Sequence, residues 1–440
     1  MESGAPMSET PALRILIVGS GGREHALAWR CRIEGHDVRV APGSAGIGED
    51  ATCVQIAAHE HERLLTYAVG KAIDLVIIGP EQPLVAGLGD RLRLAGIATF
   101  GPSAAAARLE GSKAEAKAFM LRHRIPTARS VTVTDIAAGL LAIRSFDTPP
   151  VIKASGLAAG KGVTVSESFE EAEEALRCCL EGQAYGDSGS TVVIEERLVG
   201  EEASFFVLTD GVRARTFVAA QDHKRIGDGD RGPNTGGMGA YSPAPVVDAA
   251  VYERVMQTIV APTLAGLSAE GSPFVGVLFV GLMIDAAGVP RVIEYNCRFG
   301  DPEAQTLLFG AQEPVVPHLF AAAEGRLSAG KIRGLACATV VLASAGYPQS
   351  SEYGVAIEGL SRLAACQELK VFHAGTRLGE EGWETAGGRV LGVCARGADL
   401  CQAIDRAYEA CAQLSFEGMQ LRRDIGGRAL ARCAPRCAPR

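Results

Sequence analysis

The stretch Val151 to Val165, V-I-K-A-S-G-L-A-A-G-K-G-V-T-V, most narrows what this chain can fold into. Two β-rich runs flank a loop holding Gly156, Gly160 and Gly162, so the local pattern is strand, flexible loop, strand. Glycine lets backbone N–H groups approach phosphate oxygens with no Cβ in the way, while Lys153 and Lys161 supply the positive charge that a polyphosphate needs. A P-loop does not fit. Three residues separate Gly156 from Gly160 where G-x-x-x-x-G-K-[ST] has four, Gly162 stands where the Mg²⁺-binding hydroxyl belongs, and no helix follows. Taken alone, the same residues also suit a structural hairpin with an exposed lysine.

Before this stretch, Arg14 to Val18 reads as a buried parallel strand that enters a helix, Ala26 to Ile33, through Gly19-Ser20-Gly21-Gly22-Arg23-Glu24-His25. A phosphate can sit on the N–H groups of Gly21 and Gly22 with Arg23 nearby, or the turn can simply pack helix on sheet. A dinucleotide fingerprint is incomplete, because G-x-G-G lacks its third glycine and Val38-Arg39-Val40 runs into Ala41-Pro42-Gly43 with no acidic residue. Further strands at Asp74 to Ile78 and Ile97 to Phe100 end at Gly79-Pro80-Glu81 and Gly101-Pro102-Ser103. Residues 13–110 are therefore expected to form a doubly wound domain with its loops at the strand C-termini, after a disordered extension at 1–12. One helix is expected from Ala104 to Arg122, with Lys113 early in it.

Val192 to Glu202 reads as a strand breaking into an acidic hinge before the strand Ala203 to Leu208. Gln221-Asp222-His223-Lys224-Arg225 opens a long stretch, Ile226 to Pro243, that has six Gly and no periodicity and is expected to be a functional loop. The most specific chemistry lies in Arg291 to Arg298. Strand alternation puts Glu294, Asn296 and Arg298 on one face, where a carboxylate and an amide oxygen suit Mg²⁺ and the guanidinium suits a phosphoryl group. An exposed sheet face with an ion pair is the plainer alternative. Residues 331–426 are expected to form a small α/β domain, and 427–440, with its repeated Cys-Ala-Pro-Arg, a disordered tail.

A formal net charge of -8 argues against a nucleic-acid surface, and no apolar run approaches the roughly 20 residues of a membrane helix. Met1 to Leu13 has no apolar core of a leader peptide, so the cytoplasm is the expected compartment. The twelve cysteines are scattered with no C-x-x-C and read as free thiols.

In order along the chain, the Lys153 hairpin, the acidic hinge and the Glu-x-Asn-x-Arg strand resemble the ATP-grasp ligases. More narrowly, G-S-G-G-R-E-H-A, G-P-E-Q-P-L, G-L-A-A-G-K-G-V, Q-D-H-K-R, G-P-N-T-G-G-M-G-A-Y-S-P and N-C-R-F-G-D-P-E resemble the phosphoribosylamine–glycine ligase family of purine synthesis, from Arg14 to about Gly426. The resemblance implies an α/β, ATP-grasp fold: a pre-ATP-grasp, Rossmann-like domain at 13–110, an ATP-grasp domain at 111–330 with a small lid lobe at about 127–196, and the C-terminal domain at 331–426. It implies ATP and Mg²⁺ (or Mn²⁺), the substrates glycine and 5-phosphoribosylamine, and a single-function monomer.

By the same resemblance, Lys113, Lys153, Gly160, Lys161 and Gly162 hold ATP phosphates. Arg197 and Leu198 read adenine with Glu195 at its amino edge, and Glu202 takes the ribose. Glu294 and Asn296 ligate the metal, and Arg298 and Lys153 act on the phosphoryl being moved. The sugar phosphate falls to Gly21, Gly22, Arg23 and Glu24. The amine and glycine fall near Asp222, a candidate proton acceptor, with His223, Lys224, Arg225, Asp301 and Glu303. The family pattern has Asp at Ser155 and, in many ATP-grasp enzymes, a metal-binding acid in the strand that here reads Val277 to Ile284. Sister carboxylases or formate-activating ligases, a non-catalytic nucleotide-binding regulator and a nicotinamide-dependent dehydrogenase are the rival readings.

Overall fold

Short wholly apolar runs such as Leu75–Ile78 have no polar face to offer water, and they build a sheet covered on both sides. The computed structural model describes residues 12–158, 162–181, 186–363 and 366–433. Its first sheet is parallel, in the order Thr52–Cys53, Asp37–Pro42, Arg14–Gly19, Leu75–Ile78, Ala98–Phe100. Strand order reverses between Arg14–Gly19 and Leu75–Ile78, and the loops after these two strands part there into a crevice.

The single helix expected over 104–122 is two, Ala104–Gly111 and Lys113–Arg122. Ser112 breaks it by adopting an extended backbone and capping the second helix, its Oγ accepting from the Glu115 N–H. The break sets Lys113 at a helix start.

A small antiparallel sheet follows, ordered Ser130–Val133, Val192–Glu195, Val151–Ala154, Val163–Val165, with helices Ile136–Ile143 and Phe169–Leu180 packed together beside it. Gly139 allows that helix contact: a Cβ there would lie 2.5 Å from Leu176 Cδ2. The chain then enters a second, mostly antiparallel sheet ordered Pro290–Asn296, Val275–Ile284, Glu201–Asp210, Ala214–Thr216, Gly330–Lys331. Gly200 marks the crossing, since any Cβ would meet the Ile284 carbonyl oxygen.

The stretch Ile226 to Pro243 is not a loop. It forms the hairpin Arg225–Gly227 with Arg231–Asn234 and then the strand Gly239–Ser242. Gly229 and Gly232 supply the left-handed backbone of the hairpin, which hides any β pattern in the sequence. Gln221–Asp222 and Gly239–Ser242 join a third sheet with Ala336–Ala343, Arg389–Gly397 and Leu369–His373, so the C-terminal sheet grows out of the middle of the chain. Nor does order stop at residue 426. Gly427–Cys433 is a helix with Ala429 buried and Arg428 paired to Asp230, while 434–440 lie outside the described residues. Among the described residues no helix is long and apolar enough to cross a membrane.

Candidate active site

The strand Val151–Ala154 carries Lys153 into the interior, 4% exposed, where its Nζ lies 2.9 Å from Glu195 Oε2 and 3.2 Å from the Ile293 carbonyl it donates to. A lysine from one sheet therefore touches the strand that bears Glu294. Glu195 shares its other oxygen with Lys117, 3.2 Å away, and Lys117 donates to Thr127 Oγ1 at 2.7 Å. Lys113 and Lys117 lie one turn apart on the same helix face. Burial lowers the pKa of both, that of Lys117 to about 8. Ser155 anchors the start of this helix, its Oγ accepting from the Ala114 N–H at 3.0 Å and its carbonyl from the Lys113 N–H at 2.8 Å.

Opposite the lysines, Pro290–Asn296 presents Glu294 and Asn296. Burial works against the Glu294 charge, but Lys224, Lys153, Lys113 and Arg298 together hold its pKa at about 2. The carboxylate is thus ionised, with an amide oxygen two residues on. That hard-oxygen pair fits a small divalent cation whose remaining positions are filled by phosphate and water, and no cluster of three or more His, Cys, Asp or Glu among the described residues offers a fuller metal site. Arg298 is held by Glu81 (Nε–Oε2 3.1 Å), Glu110 (Nη2–Oε1 2.7 Å) and the Phe299 carbonyl (3.3 Å).

The Q-D-H-K-R segment divides by strand alternation. Asp222 and Lys224 turn to the carboxylates Glu202, Glu294 and Glu303, with Lys224 3.5 Å from both Glu202 and Glu294. Burial, with the negative charges of Glu303, Glu202 and Glu294, raises the Asp222 carboxyl to about 7 despite Lys224. His223 and Arg225 do not join them. His223 is 1% exposed among Arg422, Arg428, Asp424 and Asp230, and Arg225 donates to the Gly232 carbonyl, so neither is paired with those carboxylates.

At the N-terminal crevice, Gly19, Ser20, Gly21, Glu24, Pro80 and Gln82 help line a cavity of about 350 Å³. Of the N–H groups expected to seat an anion at Gly21, Gly22 and Arg23, two are bonded within the protein in this structure. The Gly21 N–H donates to Glu24 Oε2 at 2.7 Å, and the Arg23 N–H to the Asp301 carboxylate. Arg23 points inward to Glu24 and the Phe299 carbonyl, and neither Gly22 nor Arg23 lines the cavity. Asp301 also faces Arg389, whose Nη1 donates to the Gly236 carbonyl at 2.8 Å. Glu303 is buried and accepts from Ser204 Oγ at 3.0 Å; burial raises its pKa.

Arg197 is exposed beside Glu167 and Leu198 is half-buried in the hinge between the sheets, with Glu202 just past it. Gly162 accepts from the Ala154 N–H, whereas Gly160 and Lys161 lie outside the described residues. Sequence reasoning missed Lys117, Glu81, Glu110 and Arg389. The four-residue spacing from Lys113 to Lys117 and the position of Glu81 at a strand end were usable signals; Arg389 has none nearby.

A small antiparallel sheet folded toward a larger one, with buried Lys153 of the first facing an acid–amide pair on the second, defines an ATP-grasp protein. The same fold occurs in biotin carboxylase from Campylobacter jejuni, 15% identical, with TM-score 0.72 and coverage of 93% of each chain. Residues 13–110, 111–304 and 337–428 match the N, ATP-grasp (A) and C domains of phosphoribosylglycinamide synthetase, and the chain belongs to that family. It is 49% identical over 426 residues to phosphoribosylamine–glycine ligase of Vibrio vulnificus (strain CMCP6), spanning 96% of this chain and 99% of the relative. It is 50% identical over 424 residues to that of Rhizobium meliloti (strain 1021), with the same coverage. The crystal structure of the Thermotoga maritima ligase superposes with TM-score 0.82 at 35% identity, over 94% of this chain and all of that one.

Proposed function

We propose that the protein joins glycine to 5-phosphoribosylamine at the expense of ATP, giving glycinamide ribonucleotide, ADP and phosphate through glycyl phosphate, in purine synthesis. The observation that carries this reading is the convergence of Lys113 and Lys153 on the strand of Glu294 and Asn296, with Arg298 immediately beyond it. Such a constellation places cations around a moving phosphoryl group and supplies no protein nucleophile, which is what phosphoryl transfer to a carboxylate needs.

Lys153 and Lys113 bind the triphosphate, and Lys117 keeps Glu195 oriented toward the base when Lys153 turns to phosphate. Arg197, Leu198 and Glu202 flank the nucleoside, with Gly160, Lys161 and Gly162 over the phosphates. Glu294 and Asn296 would hold Mg²⁺ or Mn²⁺, which neutralises phosphate charge when bound. The glycine carboxylate attacks the γ-phosphorus beside Arg298, and ADP leaves. The amine of phosphoribosylamine then attacks the acyl carbon, phosphate departs, and Asp222, whose raised pKa suits a proton acceptor near neutrality, takes the amine proton. The cavity lined by Gly21 and Glu24 takes the sugar phosphate, and Lys224, Asp301 and Glu303 border the reacting groups. Exchange of the Glu294 carboxylate for an amide tests the reading: Glu294→Gln is expected to lower ADP release by at least ~100-fold, and unchanged release would exclude this strand from the chemistry.

A further inference from the structure

Arg298 is tied to the N-terminal cavity by two routes that the phosphoryl chemistry leaves unused. Through Glu81, its Nε reaches the segment whose neighbours Pro80 and Gln82 line the cavity wall. Through the Phe299 carbonyl, which accepts from Nη1 of both Arg298 (3.3 Å) and Arg23 (3.2 Å), it reaches Glu24, another wall residue, 2.6 Å from Arg23 Nε. Glu110 fixes the far side at 2.7 Å and is itself pinned by the Cys297 N–H at 2.8 Å. A guanidinium has five N–H donors; Glu81 and the Phe299 carbonyl take two of them and Glu110 pairs with Nη2 as an ion pair, so N–H groups remain for a phosphoryl oxygen. A void of about 10 Å³, lined by Arg23, Gly79 and Arg298 among others, leaves slack around the group. Both carboxylates reach Arg298 from the N-terminal domain, and of the two it is Glu81 that lies between Pro80 and Gln82, which line the cavity.

We propose that Glu81 is a positioning residue that couples the cavity to Arg298, so that phosphoryl transfer to glycine is fast only when a sugar phosphate occupies the cavity. The inference rests on the function proposed above. Its value to the enzyme is chemical. Glycyl phosphate made without the amine present is lost to water, which attacks the acyl carbon and returns glycine and phosphate; the γ-phosphorus–oxygen bond to ADP has then been broken for nothing.

Ribose 5-phosphate has the sugar and the phosphate but no amine, so it can fill the cavity without consuming the acyl phosphate. With ATP, Mg²⁺ and glycine present and all amine excluded, ribose 5-phosphate is expected to stimulate ADP release by the wild-type protein at least about fivefold, the lower end of ordinary coupling between sites. In Glu81→Gln the stimulation is expected to fall below about twofold, with the dissociation constant for ATP unchanged. Glu81→Asp, which keeps the charge but draws it back by one methylene, is expected to retain part of it. Full stimulation in Glu81→Gln overturns the proposal, as does a wild-type protein that forms glycinamide ribonucleotide yet ignores ribose 5-phosphate. Should Glu81→Gln fail to unfold cooperatively, Glu81→Asp decides, and full stimulation there is contradictory. A wild-type protein that forms no glycinamide ribonucleotide from the complete mixture removes the function itself.

Discussion

At Arg298 the chemistry and the packing make opposite demands. Removing the side chain would strand Glu81 and the buried Glu110 without their cation, so Arg298→Ala mixes lost rate with lost fold. Arg298→Lys keeps the charge and gives up the planar fork, and is expected to cut kcat by roughly 100-fold, about 3 kcal/mol of barrier, with a melting temperature close to wild type. Asp222 makes a second prediction. Its proton is shared with the field of Glu303, Glu202 and Glu294, so kcat/KM should fall as pH drops through about 7, and Asp222→Asn should give a low, flat profile there. An acid limb that persists unchanged in Asp222→Asn assigns the proton to another group. At this scale the sequence was a good guide wherever residue type and alternation act within one strand, as at Glu294 and Asn296. At Gly22 and Arg23 nothing local reveals that Asp301, far along the chain, accepts from the N–H of Arg23 on the same helix.

The segment Gln221 to Arg225 shows what an element adds to its residues. Five polar residues in a row read as one substrate site, yet the backbone running on from the strand Gln221–Asp222 sends Asp222 and Lys224 to the cleft and His223 to the C-terminal domain. Lys224→Gln should therefore lower turnover, whereas His223→Gln should keep it within about threefold and change the response to acid instead. Burial, with Arg422 and Arg428, lowers the His223 pKa from 6.5 to about 4. Between those values the unfolded chain binds a proton that the folded protein does not, so this contribution is complete above pH 6.5 and is lost as pH falls toward 4. It amounts to about 1.4 kcal/mol per pH unit. Thermal unfolding at pH 7 and pH 5 checks this: the wild-type midpoint should fall by more than that of His223→Gln.

Other elements were legible to different degrees. Apolar runs such as Ile15 to Val18 announce buried strands, and the Lys153 hairpin declares itself by its two β-rich arms. The break at Ser112 is invisible locally, because an alanine-rich helix can run through it; the extended backbone there is favoured by Ser155, just past the strand Val151–Ala154, which bonds Ser112 Oγ at 3.3 Å. The strands inside Ile226 to Pro243 exist for a similar reason, with Gly239–Ser242 drawn out by its ladder to Ala336–Ala343.

Across the whole molecule, the C-terminal domain serves as a brace. Lys370 meets Asp50 at 2.7 Å, Asp50 holds His25 at 3.0 Å, and the His373 N–H donates to His25 Nδ1 at 2.9 Å, closing the first domain on the last. On the other flank, Arg422, 1% exposed, binds Asp424 and Asp230 at 2.7 Å each and so steadies the hairpin behind Asp222. Arg422→Ala should cost about 2 kcal/mol, read as a lower melting temperature, while the KM for ATP stays near wild type. The pairs Lys370–Asp50, His373–His25 and Arg422–Asp230 could not be read from the sequence, since they join residues 320, 348 and 192 positions apart.

The most direct test of the account is ADP release from Mg·ATP with glycine and phosphoribosylamine, the latter formed in the assay from ribose 5-phosphate and ammonia, leaving out each component in turn. Full-rate release that needs every component, with a product of the mass of glycinamide ribonucleotide, is the predicted result. Full-rate release that ignores glycine but follows bicarbonate or formate would contradict it.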